Sequence, residues 1–197
     1  MYKTLKFFQN NLSILLLFTG FLALAQLKTA SAGFRVEPPP FLPPVEAVIS
    51  NFINRPAPGF QANNLNQQSK TISNYYGRSL ILFFWSTHST LSKEYIGYLK
   101  ELNKELSSLK AELLTFGDES WSDINSFCRE KEIDYDVIPN GAYFGEAVYG
   151  KELGTPRFFL VNTKGYIKHI IPEELASDPV LTIANLKELL TELMANN

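Results

Sequence analysis

Ser89 and Ser92 stand three residues apart in "STHSTLS", Ser86–Ser92, between an apolar run that ends at Trp85 and a helical pattern that begins at Leu91. A strand that feeds a helix start is where the free first-turn N–H groups and the helix dipole favour negative charge, so a nucleophile or anion could be held there. The serine chemistry this spacing first suggests is nucleophilic. It lacks its supports, because the glycines of a G-x-S-x-G elbow are absent, His88 is the adjacent residue, and His169 lies far along the chain. Metal chemistry is no better served: Thr87-His88-Ser89 offers one imidazole among hydroxyls, which bind copper poorly, and no metal is expected. The structural alternative is that Ser89 caps the helix and Ser92 adds a first-turn hydroxyl. Cys128 is the one thiol in 197 residues, so no intramolecular disulfide can form. Its helical spacing from Ile124 turns it inward, where a free cysteine packs as a small hydrophobe.

The elements that must position these residues can be read outward from the strand. Leu80–Trp85 is continuously apolar, as for a central strand covered on both faces. Leu91, Tyr95, Tyr98, Leu99, Leu102, Leu106 and Leu109 recur at helical spacing with Lys100, Glu101, Lys104 and Glu105 opposite them. Residues 112–118 read as a strand, 120–133 as a helix holding Ile124, Phe127 and Cys128 inward, and 135–138 as a short strand. A helical turn is expected near Glu146–Tyr149. Strands at 157–162 and 166–171 flank the turn Thr163-Lys164-Gly165. Asp178-Pro179 then starts a terminal helix with Leu181, Ile183, Leu186, Leu189, Leu190 and Leu193. Ahead of all this, residues 58–77 look like an opening hairpin, with Asn63, Asn64 and Asn66 as turn formers, and a helical turn at 73–76.

A leader is expected ahead of these elements. Lys3 and Lys6 precede the apolar stretch Leu12–Ala25, and Ala30-Ser31-Ala32 offers a cleavage site, so residues 1–32 are expected to be a secretory signal peptide. The stretch is shorter than the roughly 20 residues of a spanning helix; an uncleaved signal would leave a membrane anchor. Residues 33–54 hold Pro38, Pro39, Pro40, Pro43 and Pro44 and then "VEAVISNFI", read as a proline-rich linker with a short helix. Residues 55–197 form the folded domain. Beyond the leader, 15 Lys and Arg face 20 Asp and Glu, and no basic stripe with interleaved aromatics occurs, which excludes nucleic acid as the expected partner.

"RPAPGFQANNLNQQSKTISNYYGRSLILFFWST", the amphipathic helix after it and "GTPRFFLVNTKG" together resemble the TlpA/ResA branch of the thioredoxin-like proteins, exported thiol-disulfide oxidoreductases. The resemblance runs from about Arg55 to Leu193. It implies an α/β fold of three layers, a mixed central sheet flanked by helices, with an N-terminal β-hairpin extension. It also implies a W-C-x-x-C motif after F-W-x-T; here His88 takes the Trp position and Ser89 and Ser92 take the cysteine positions. Glu94 stands one place before the family's acidic residue, whose slot Tyr95 fills, and Gly97 replaces a proline. The family's cis-proline element is matched by Thr155-Pro156 after Gly154. A serine hydroxyl starts several pKa units above a thiol and cannot form the mixed disulfide of exchange, so dithiol redox work is not expected.

What remains is a redox-inactive, exported binding or assembly module whose groove beside the cis-proline takes an exported protein or peptide as an added strand. The groove would be lined by Trp85, His88, Ser89, Thr90, Thr155 and Pro156. No cofactor is expected. The alternative is a thiol-disulfide oxidoreductase or peroxidase acting through Cys128, which requires that thiol to be exposed; a third reading is a structural domain that works through another surface.

Overall fold

The computed structural model describes residues 44–195; the expected signal peptide and most of the proline-rich linker lie outside the described residues. The described chain runs α1 (Val45–Phe52), β1 (Gln61–Asn63), β2 (Ser69–Thr71), β3 (Ser79–Trp85), α2 (Thr90–Leu106), β4 (Ala111–Gly117), α3 (Trp121–Glu130), β5 (Asp136–Ile138), β6 (Arg157–Val161), β7 (Ile167–Ile171) and α4 (Pro179–Ala195). β1 and β2 pair as the antiparallel opening hairpin. The other five strands form one mixed sheet in the order β5-β4-β3-β6-β7, with β3, β4 and β5 parallel and β6 and β7 antiparallel to their neighbours. This is the thioredoxin-like α/β fold that the sequence resemblance implies.

The central position of β3 follows from its composition: every residue from Ser79 to Trp85 is buried, so both of its faces need cover. One face carries Ile81, Phe83 and Trp85 under the inner sides of α2, α3 and α4; the other carries Leu80, Leu82 and Phe84 under α1, the approach to the hairpin and the turns that precede β6. Stacked rings knit the layers, Phe83 on Phe158 at 4.4 Å and Phe84 on Phe116 at 4.7 Å between centroids. α1 packs into the second face, with Val48 buried and the Phe52 ring edge-on to Phe159.

Two helical details differ from the sequence pattern. Tyr98 is 43% exposed, and Ile96 is buried in its stead. Leu109 lies past the end of α2, in the turn whose Leu109 N–H donates to Leu106 O. The expected helical turn before β6 is a π-helical turn at Phe144–Val148. The α4 start is as expected, for Asp178 Oδ1 accepts from the Leu181 N–H at 3.1 Å.

Both sheet edges are met by the segment ahead of β3. Along β7, the Asn54 N–H donates to Ile167 O, the Ile167 N–H to Arg55 O, and Pro56 bridges Tyr166. Along β5, the Leu65 N–H donates to Val137 O, and the buried Asn64 amide reaches Asp136 at 2.7 Å.

Candidate functional site

β3 and β4 are parallel, so their C-terminal ends open at the same edge of the sheet, and the loops that follow them meet. The loop after β3 is a hydrogen-bonded knot of hydroxyls. Ser89 caps α2, its Oγ accepting from the Ser92 N–H at 3.1 Å. Ser92 is fully buried, and its Oγ accepts weakly from the Ser86 N–H at 3.4 Å. The Ser86 Oγ in turn accepts from the His88 N–H at 3.0 Å. Every one of these hydroxyls therefore satisfies a first-turn or loop amide, the capping role that the sequence offered as the structural alternative.

Glu119 ties this loop to the end of β4. Its Oε1 accepts from the Ser86 O–H at 2.5 Å and from the Thr87 N–H at 2.9 Å, and lies 3.9 Å from the exposed His88 Nε2. Burial alone would raise the Glu119 carboxyl, but the bonds from Ser86 and Thr87 outweigh it and hold the group below its ordinary value. His88 thus faces Glu119 rather than either motif serine, and His169 is half-buried on strand β7, its imidazole lowered by burial. Among the described residues no base is aligned on Ser89 or Ser92.

The opposite wall is the loop before β6. The Thr155–Pro156 bond is cis. Pro156 is buried and Thr155 half-buried. Behind them Arg157 is only 3% exposed. Its Nη1 donates to Gly154 O and to Thr155 Oγ1 (3.0 Å), its Nη2 donates to Gly145 O at 2.6 Å, and its Cζ sits 4.9 Å above the Phe84 ring. The guanidinium therefore clamps the Gly154–Thr155 loop to the π-helical turn, with two carbonyls and a hydroxyl as its partners. Burial brings its pKa down to about 10, opposed by the field of Asp118.

Asp118, next to Glu119, is pushed up to about 6 by burial, which Arg157 opposes and the Glu119 and Glu146 charges reinforce. Because the folded state holds the Asp118 proton more tightly than the unfolded chain, this group favours folding while protonated. That advantage is lost as pH rises from about 4 through about 6. Asp118→Asn is expected to raise stability at pH 7 by about 1 kcal/mol, a figure reduced for the part of the carboxyl that water screens. The gain should vanish near pH 4. Paired thermal melts of the two proteins across that range check it, and equal melting temperatures at pH 7 would refute it.

Of the expected groove residues, the structure exposes His88 and Thr90, leaves Ser89 and Thr155 half-buried and brings the two loops to one edge. Trp85 is a correction. It is fully buried, packed on Phe127 at 5.4 Å between rings, and supports the loop from beneath the sheet face rather than meeting a partner. Pro156 likewise presents no free side chain.

Cys128 sits in the α3 core face at 5% exposure, and burial pushes its thiol up to about 11. At pH 8 only about one molecule in a thousand would carry the thiolate. Native chain is expected to resist iodoacetamide and to be alkylated once unfolded; labelling at equal rates with and without denaturant would contradict that burial.

Glu119, Asp118 and Arg157 were not among the residues the sequence singled out. Signals for them exist: an acidic pair directly after the strand parallel to β3, and a lone arginine in the otherwise apolar run "RFFLV", where a buried charge must find partners. Among the described residues no three His, Cys, Asp or Glu side chains are placed to hold a metal ion, and no helix is long and apolar enough to cross a membrane.

Residues 53–170 match the AhpC/TSA family. The chain belongs to the AhpC/TSA family. No curated protein sequence matches it significantly. Solved structures share its fold at low identity. A Chlorobium tepidum protein assigned as thiol:disulfide interchange protein DsbE is 15% identical with a TM-score of 0.63, over 72% of this chain and 97% of its own. A secreted thiol-disulfide isomerase from Corynebacterium glutamicum is 18% identical with a TM-score of 0.55, over 65% and 82%. Peroxiredoxin Q from Xanthomonas campestris is 14% identical with a TM-score of 0.56, over 66% and 91%. This AhpC/TSA chain is thus a redoxin-family protein with a fold shared by thiol-disulfide oxidoreductases, whose single cysteine lies away from the helix start.

Proposed function

We propose that this family member is a TlpA/ResA-type module that binds a protein or peptide partner without exchanging electrons with it. The observation that carries the reading is the fate of the two motif positions. Ser89 Oγ and Ser92 Oγ act as acceptors for loop amides, and no sulfur stands within the knot that Glu119 fastens. Such a site keeps the shape of an exchange site and loses the chemistry, since oxygen cannot form the mixed disulfide. The cleft between the Ser86–Thr90 loop and Gly154–Thr155 would hold an extended partner segment by backbone pairing.

Action through Cys128 finds no support, because a buried thiol raised to about 11 is a poor nucleophile. Export is part of the same proposal. It rests on the leader read at Lys3, Lys6 and Leu12–Ala25 with Ala30-Ser31-Ala32, and on the likeness to a secreted isomerase. The test is insulin reduction under dithiothreitol by the wild-type chain beside Ser89→Cys/Ser92→Cys. A silent wild type with an active double variant supports the reading, and activity in the wild type overturns it.

A further inference from the structure

The turn between β7 and α4 and the first turn of α4 carry three large apolar side chains in water: Leu175 is 66% exposed, Val180 57% and Leu181 68%. Solvated apolar side chains scattered singly mean little, whereas three within seven residues of chain make a patch. The turn is fixed to both walls of the candidate site. Glu173 Oε2 accepts from the Thr155 N–H at 3.2 Å beside the cis-proline, and the Tyr95 O–H of α2 donates to Ala176 O at 2.7 Å, one turn from Ser92. The patch therefore continues the edge on which the motif loop opens.

The segment that carries it is acidic. From Pro172 to Leu186 the chain contains Glu173, Glu174 and Asp178 and no Lys or Arg. Glu173 and Glu174 share a shallow cleft of about 110 Å³ with Glu152 and Gly154. Lys151 is the cation on that facing turn. An apolar patch on an acidic segment repels a second copy of itself and an anionic membrane, and suits a partner that offers apolar side chains between positive charges.

Resting on the binding function proposed above, we infer that the Leu175–Leu181 turn is the specificity surface of that site, and that its partner is a peptide segment in which large apolar residues alternate with Lys or Arg. The strand-like pairing beside Thr155 would fix the segment, and the turn would select it.

The experiment is a titration of the isotope-labelled full chain, followed by amide shifts, with two synthetic peptides: one alternating leucine with lysine, the other alternating leucine with glutamate. The lysine peptide is expected to shift amides at Thr90, Thr155 and 174–181. It should bind roughly tenfold tighter than the glutamate peptide and weaken as salt is raised. Leu175→Ser/Leu181→Ser should weaken it roughly tenfold, and these exposed positions leave the fold intact. Glu174→Lys should narrow the difference between the peptides. Shifts confined to Thr90 and Thr155, unaltered affinity in the leucine double variant, or equal affinity for both peptides would overturn the specificity surface while leaving the groove in place. No shifts at either location would remove both. Protection of 175–181 by phosphatidylglycerol vesicles with no response to the lysine peptide would assign the patch to a membrane instead.

Discussion

Ser89→Cys/Ser92→Cys is expected to turn a chain that leaves insulin at the dithiothreitol background into one that reduces it at least roughly tenfold faster. The two positions lie three apart on the first turn of α2, where side chains share a face. A thiol at 89 would take over the Ser92 N–H that now serves the serine cap. That donor and the helix dipole stabilise a thiolate, the effect that brings helix-start cysteines into the range of neutral pH. The buried position 92 would hold the resolving sulfur, near the Ser86 N–H. Each single replacement should stay near background, because one sulfur cannot complete the dithiol cycle. A double variant that folds but neither closes a disulfide nor reduces insulin would show that the Glu119-fastened loop is shaped for something other than an exchange site, and the groove reading would fall with it.

Arg157→Met carries the largest expected loss of stability, about 3 kcal/mol, read from urea unfolding followed by tryptophan fluorescence. Methionine preserves much of the packing on Phe84 but leaves Gly154 O, Gly145 O and Thr155 Oγ1 without the guanidinium that now donates to them. It also removes the cation that opposes the rise of the Asp118 carboxyl, so that group should titrate higher still. Arg157→Lys should recover only part of the loss, since one ammonium cannot span three acceptors placed for a planar fork. A Met variant within about 1 kcal/mol of wild type would mean that water replaces the guanidinium at those acceptors.

Both effects depend on residues of different legibility. The strand Ser79–Trp85 and the helix after it were readable, because a seven-residue apolar run and a 3.6-residue period are properties of adjacent positions. The Ser89 cap, the Asp178 cap and the inward Cys128 were readable for the same reason. Tyr98 was misplaced because a tyrosine counts as apolar in a periodic pattern, while the structure buries Ile96, two residues earlier. Trp85 looked available because it closes the strand next to the motif; its face is set by alternation with Phe84, and Phe127 comes from α3 to cover it. Glu119 and Arg157 lie 33 and 71 residues after Ser86, and their roles depend on which strand ends meet, which only the assembled sheet decides. The helical turn expected near Glu146–Tyr149 is present, starting two residues earlier at Phe144–Val148, where Gly145 O is bonded by Arg157 from another strand.

The segment ahead of β3 guards more than the entry to the domain. Among the described residues, 54–57 pair with the start of β7 at Gly165–Ile167 and Asn64–Leu65 pair with β5 at Asp136–Val137, so each outer edge is partly capped against another strand. A proteolytic cut near Pro58 that released α1 would uncover the start of β7 together with the apolar face that Val48 and Phe52 now shield. The same fold would then carry an adhesive margin, and self-association would follow from the loss of a piece that touches neither serine of the motif.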